Sequence, residues 1–247
     1  MRDKKPMSRK EKKKPKSIVI SLIALSLLLI YSAVAFPATI VGVITQLSGP
    51  LLARKADGTT RILSINSIVE PGDILVTEKK TYAQIKFTDN GVVILRPNTQ
   101  FKISDYHFDE NKPEKDSAIF DVVKGALRSI TGFIGKRGNP SCYQMITPTA
   151  VAGVRGTTYE CKICQGNCGL LPDGLYIYVL EGIVNVTNGT GSQDVGTGQY
   201  VYVATFDSMP EILSENPGID FTLPSSFEDL QEEGEESPGE DRGCIVR

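Results

Sequence analysis

From Thr81 to Ile103 the chain reads TYAQIKFTDNGVVILRPNTQFKI. Ala83, Ile85 and Phe87 alternate with Gln84, Lys86 and Thr88, the two-residue period that sends one set of side chains to each face of a strand. Asn90-Gly91 tolerates the positive φ angles of a tight hairpin turn, and Val92 to Leu95 returns as the partner strand. Arg96-Pro97-Asn98 ends that strand, because proline brings no N–H to a ladder, and Gln100 to Ser104 begins another with Phe101 and Ile103 on one face. Short apolar runs of this kind recur between turn signals across residues 38–206, and no 3.6-residue periodicity is sustained there. The segment is therefore expected to be all-β.

Three stretches echo one another loosely: IVGVITQLSG at 40–49, VVKGALRSITG at 122–132 and YVLEGIVNVTNG at 178–189. Each is a short strand, a glycine, a second strand and a turn. Glycine inside a strand marks a bulge or a sharp bend at which the chain changes sheet. A rolled β-sandwich or a short β-helix with stacked corners would use such bends, and the spacing is too irregular for a solenoid.

The two ends differ from this middle. Residues 1–16 hold nine Lys or Arg against Asp3 and Glu11, a net of +7. Ser17 to Phe36 follows without a charge and ends in Ala33-Val34-Ala35. A basic stretch, an apolar core and a small-x-small site describe a signal peptide cut after Ala35. Twenty apolar residues would equally span a bilayer of roughly 30 Å as a signal anchor, with the basic end in the cytoplasm. Either way residues beyond 36 are expected outside, in the periplasm or at the cell surface. Residues 207–247 carry twelve Asp or Glu against Arg242 and Arg247, a net of −10. With its prolines, this stretch is expected to be a disordered acidic tail offered to basic partners or divalent cations. The remaining residues are nearly neutral, which argues against a nucleic-acid partner.

Several residues of the middle resemble the FecR domain, an extracytoplasmic β module of bacterial envelope proteins. They are Pro71-Gly72-Asp73, Thr88-Asp89-Asn90-Gly91, Leu95-Arg96-Pro97-Asn98-Thr99, Gly125-Ala126-Leu127-Arg128, Leu180-Glu181-Gly182 and, most specifically, TPTAVAGVRGT from Thr147 to Thr157. The resemblance runs over about residues 40 to 205. It implies a binding or sensing role in the envelope, with an envelope protein or glycan as partner and the membrane as a further one if residues 17–36 are retained. In the family's founding example the domain is joined through a membrane helix to a cytoplasmic anti-sigma segment, and it relays siderophore occupancy of a receptor. Only about 17 residues precede the apolar segment here, too few for a folded sigma-binding domain. The β module carries over more firmly than the regulatory role, which stands as the alternative.

TPTAVAGVRGTTYEC admits three readings. A phosphate cradle needs its glycines in a loop that opens a helix, whereas Thr157 to Cys161 continues as a strand. A ligand loop is the second. The third is structural: Pro148 marks a strand edge, Gly153 allows close approach, Gly156 and Thr157 form a bend, and Arg155 donates to carbonyls freed there. Cys161 and Cys164, with Cys168 and Cys142, are candidates for two disulfides in an exported domain, for free thiols, or for a metal site whose second C-x2-C half is missing. A Cys142 to Cys161 bridge would close a loop of about 20 residues around the motif, worth about 2–4 kcal/mol. Lys124, Arg128, Lys136 and Arg137 are candidates for anion binding, or else a solvated face. The lone His107 lies in a polar loop, and Asp105 and Asp109 have Lys-rich surroundings that would not raise a general acid's pKa. No catalytic residue, cofactor or metal is expected, and the chain is expected not to be an enzyme.

Overall fold

A computed structural model describes residues 39–137 and 141–227. The basic end, the apolar segment 17–36 and residues 228–247 lie outside the described residues. Among the described residues no helix is long and apolar enough to cross a membrane.

The architecture is all-β, with one large mixed sheet and almost no helix. In chain order the first strands are β1 (Gly42–Leu47), β2 (Leu51–Arg54), β3 (Thr60–Leu63), β4 (Ile68–Val69) and β5 (Ile74–Thr77). Next come β6 (Ala83–Phe87), β7 (Val92–Leu95), β8 (Gln100–His107) and β9 (Ser117–Ile130). After a one-turn helix, α1 (Phe133–Lys136), follow β10 (Tyr143–Ile146), β11 (Val151–Cys164), β12 (Gly174–Thr187), β13 (Ser192–Gly196), β14 (Tyr200–Val203) and β15 (Glu211–Leu213). The main path is β15-β14-β12-β11-β10-β9-β7-β6-β1-β4, antiparallel except for β10 against β9.

The inward set predicted for β6 and β8 holds, since Ala83, Ile85, Phe87, Phe101 and Ile103 are all buried, but Gln84 of the outward set is buried too, and so is every residue of β7. The turn between β6 and β7 is longer than a two-residue hairpin. It spans residues 88–91, and of the Asn-Gly pair only Asn90 takes a positive φ, 64°. Gly91 is required for another reason, since a Cβ there would lie 2.9 Å from Asp89 Oδ1. That carboxylate is buried and accepts the Tyr106 hydroxyl at 2.9 Å and the Gly91 and Ile134 amides.

Three long strands change partners midway. The first half of β9 pairs with β8 and β10, the second with β7 and β11. The first half of β11 pairs with β10, and the second with β9. In β12 the partner changes from β14 to β13. Each switch occurs at a glycine with positive φ: Gly125 at 95°, Gly156 at 55° and Gly182 at 86°. The two later echoes read from the sequence thus mark real bends. Gly42, in the first echo, has no such φ; there a Cβ would meet the Lys86 carbonyl at 2.8 Å.

A bend frees backbone groups, and threonines take them up. Thr99 Oγ1 donates to the Ala126 carbonyl at 2.9 Å and accepts its amide at 3.1 Å beside Gly125. The Thr157 amide donates to Thr131 Oγ1 at 2.8 Å, and Gly182 N donates to Thr197 Oγ1 at 3.1 Å. Between these corners one apolar core gathers residues from β1 to β14, with Tyr159, Phe101, Phe120 and Leu127 almost wholly enclosed. Each such side chain contributes about 1.5–3 kcal/mol by leaving water.

Residues 207–227 depart from the expected unfolded tail. β15 pairs with β14, and Ile219, Phe221, Leu223 and Phe227 are buried against the sheet. Apolar side chains at alternate positions gain more from this face than the flanking acids and prolines lose.

Candidate functional site

The face of the sheet turned away from the main core carries the densest chemistry. Cross-strand register sets Ile94 opposite Arg128, Arg128 opposite Glu160, Glu160 opposite Tyr178, Tyr178 opposite Tyr200, and Tyr200 opposite Leu213. A second row runs beside it through Ala126, Lys162, Tyr176, Tyr202 and Glu211. Alternation puts each row on one face, so Tyr176 meets Tyr202 in a tilted pair and Tyr178 meets Tyr200 in a stacked one, with ring centroids 4.7 and 4.2 Å apart.

The charged end of this face is buried. Glu160 is completely enclosed; Arg128 Nε donates to its Oε1 at 2.6 Å, and Nη2 forms an ion pair with the same oxygen at 2.6 Å. Its Oε2 has no hydrogen-bond partner, and Arg96 Nη2 stands 3.9 Å away. Burial raises the Glu160 carboxyl above the ordinary range against the pull of Arg128 and Arg96. Burial likewise lowers Arg96, and it lowers Lys162 with help from the Arg96 charge.

Residues 214–227 lie over this face as a strap. Ile219 and Phe221 pack with Tyr176 and Cys164, and Leu223 and Phe227 pack with Val92 and Ile94. Arg96 Nη2 donates to the Phe221 carbonyl, and its guanidinium sits 5.8 Å from the Phe221 ring centre. Between strap and sheet an open cleft of about 340 Å³ is lined by Arg128, Tyr178 and Tyr200 below and by Asn216 and Asp220 above, with the enclosed Glu160 beneath its floor.

The residues singled out from sequence fall elsewhere or play other parts. Pro148 sits in the turn joining β10 to β11, closed by Thr147 Oγ1 donating to the Ala150 carbonyl at 2.7 Å. Gly153 lies in regular ladder between Gln144 and Asn185. Gly156 makes the expected bend, where the β11–β12 register slips between Arg155 and Thr158. Arg155 does not satisfy the freed carbonyls: it is exposed, because its place in the alternation points it outward. Thr157 does so instead, its Oγ1 lying 2.8 Å from both the Arg155 and Ile183 carbonyls.

The cysteine expectation is corrected in part. Cys164 bonds to Cys168 and Cys142 is also disulfide-bonded, but Cys161 is a free, buried thiol, so no Cys142 to Cys161 bridge forms. Strand parity separates Cys161, in the main core, from Cys164, which meets Cys168 on the other face. Within β11, residues 161 and 164 point to opposite faces, and a C-x2-C pair can converge only across a turn. Among the described residues no group of three metal-ligating side chains assembles.

The four basic residues do not act as one receptor. Arg128 is bound to Glu160, while Arg137 pairs with Asp116 and lies 5.3 Å from the Phe108 ring centre. Lys124 and Lys136 are exposed. His107 is exposed at the end of β8, Asp105 accepts the Ser117 hydroxyl, and Asp109 accepts the Asn111 amide. Sequence reading missed Arg96, Glu160 and the strap. The alternating Tyr176/Tyr178 and Tyr200/Tyr202 pairs were the available signal for the face itself.

A family model described as FecR protein matches residues 73–185. No curated protein matches the chain. Two crystal structures of a candidate anti-sigma factor from Parabacteroides distasonis are similar at 14% identity, covering 58% of this chain and 60% of theirs, with TM-scores of 0.44 and 0.45. The chain thus spans about three fifths of the length of those proteins. The match to the family model ends before β13, so β13 to β15 and the strap fall outside it.

Proposed function

Because residues 73–185 belong to the FecR family, we propose that this chain is a non-catalytic binding and sensing module of the bacterial cell envelope. Residues 17–36 direct it outward, and an envelope protein or glycan is its partner. The family match carries the reading. The aromatic and charged face under the strap supports it, since an open cleft beside stacked tyrosines and a buried ion pair suits recognition.

A second reading makes the chain a membrane-anchored regulator in receptor-linked signalling, with the basic end as its cytoplasmic arm. The FecR match favours it as well. Crosslinking the native protein in its envelope and identifying the captured species tests the first reading. A discrete envelope component is expected, and capture of nothing above background would overturn it. N-terminal sequencing of the mature protein separates the two. A chain beginning near Phe36 eliminates the anchored regulator, whereas a retained apolar segment keeps it.

A further inference from the structure

The strap differs in kind from the sheet on which it rests. Residues 214–227 contain no strand, only a 3-10 turn at Ser225–Phe227. Three of their amides and one carbonyl are taken up by their own side chains. Asn216 Oδ1 accepts the Gly218 and Ile219 amides at 2.9 Å, and Asp220 Oδ1 accepts the Thr222 amide at 2.8 Å. Among the described residues the Arg96 bond to the Phe221 carbonyl is the one hydrogen bond joining this backbone to the sheet. What holds the strap is the insertion of Ile219, Phe221, Leu223 and Phe227 into a surface already complete in its own ladder.

A segment held by alternate apolar side chains and one carbonyl, without ladder bonds, is the kind of element that opens locally while the core stays folded. Its footprint also defines what the bare face accepts. From Ile94 and Val92 across to Tyr176, the surface receives an extended chain with apolar side chains at positions one, three and five, an aromatic one central, and a carbonyl presented to Arg96.

We infer that the strap is a built-in occupant of a peptide-docking face, and that the partner is an extended segment of another protein with the same alternating apolar pattern, which binds as the strap lifts. The inference rests on the binding-module reading and narrows its partner to protein. A second copy exchanging straps is the competing occupant. The short path from Leu213, paired with Tyr200, to Ile219 directly over the same face favours the chain's own strap.

The test uses the full chain and a synthetic peptide of residues 216–227, NPGIDFTLPSSF, with a scrambled peptide as control. The double variant Phe221→Ala/Leu223→Ala weakens the strap and leaves the docking surface unaltered. It is expected to bind the peptide at least about tenfold more tightly than the unaltered chain, in which the tethered strap competes at an effective concentration on the order of millimolar. Equal affinity for both chains, or no saturable binding to the folded variant up to about 1 mM peptide, would overturn the inference. So would a unaltered chain that dimerises with exchanged straps. Hydrogen exchange on the unaltered chain provides a readout free of any folding defect. Amides of Gly218, Ile219 and Thr222 are expected to exchange about a hundredfold faster than those of β11, and protection equal to that of β11 would sink the latch. Failure in these experiments with an envelope component still captured by crosslinking would remove the strap inference and leave the binding reading standing.

Discussion

Arg128 and Glu160 face each other across β9 and β11, with two guanidinium nitrogens 2.6 Å from one carboxylate oxygen in a site where the glutamate has no access to water. Such a pair is weak evidence of net stability, yet removing one member strands the other charge. Arg128→Ala is therefore expected to destabilise the fold by about 3–5 kcal/mol, and a double replacement by apolar residues, Arg128→Leu with Glu160→Leu, should recover most of that loss. Urea titrations of Arg128→Ala and of the double variant check this. A double variant as damaged as Arg128→Ala would contradict it.

The three partner-switching glycines should not tolerate alanine equally. At Gly125 a Cβ would lie 2.4 Å from Thr99 Oγ1 and at Gly182 2.4 Å from the Gly156 carbonyl, whereas at Gly156 it would meet nothing within 4 Å. Gly156→Ala should cost only the left-handed backbone penalty of about 1–2 kcal/mol. Gly125→Ala and Gly182→Ala add a clash worth roughly another 1–3 kcal/mol. Chemical denaturation of the three variants measures the ranking, and a Gly156 variant as weak as the others would refute it.

Arg155 and Thr157 exchange the importance that residue type alone suggests. Because Arg155 is exposed, Arg155→Ala should leave stability within about 0.5 kcal/mol. Thr157→Val keeps the shape and removes the hydroxyl that serves two carbonyls, at a cost of about 1–3 kcal/mol. Thermal melts of both variants side by side decide between them.

What could be read from the chain depended on whether the signal was local. Alternation in Ala83, Ile85 and Phe87 is complete within five residues, and glycine in the middle of an apolar run is a local mark of a bend. The Arg128–Glu160 pair is not local: its members are 32 residues apart, and burial of a glutamate has no sequence signature until its partner is known. The strap was hidden differently. Ile219, Phe221 and Leu223 alternate for only five residues among aspartate, proline and glycine, and composition outweighed pattern. In the Cys161-x-x-Cys164 segment spacing suggested convergence, and the strand conformation reversed it.

Cys161 yields a prediction in which pH supplies the sign. Burial pushes its thiol up to about 12 from an ordinary value of 9.0. The folded state therefore holds its proton where the unfolded state releases it. The stability associated with this thiol is fully present below about pH 9 and is lost as pH rises toward 12. The unaltered chain should lose stability relative to Cys161→Ala across that interval, and below pH 8 the difference should be flat. At neutral pH the thiolate is scarce and the sulfur enclosed, so iodoacetamide should leave Cys161 unmodified in the native protein and alkylate it in denaturant. Mass spectrometry of the peptide containing Cys161, taken before and after unfolding, reads both states, and rapid alkylation of the native protein would contradict the enclosure of this thiol.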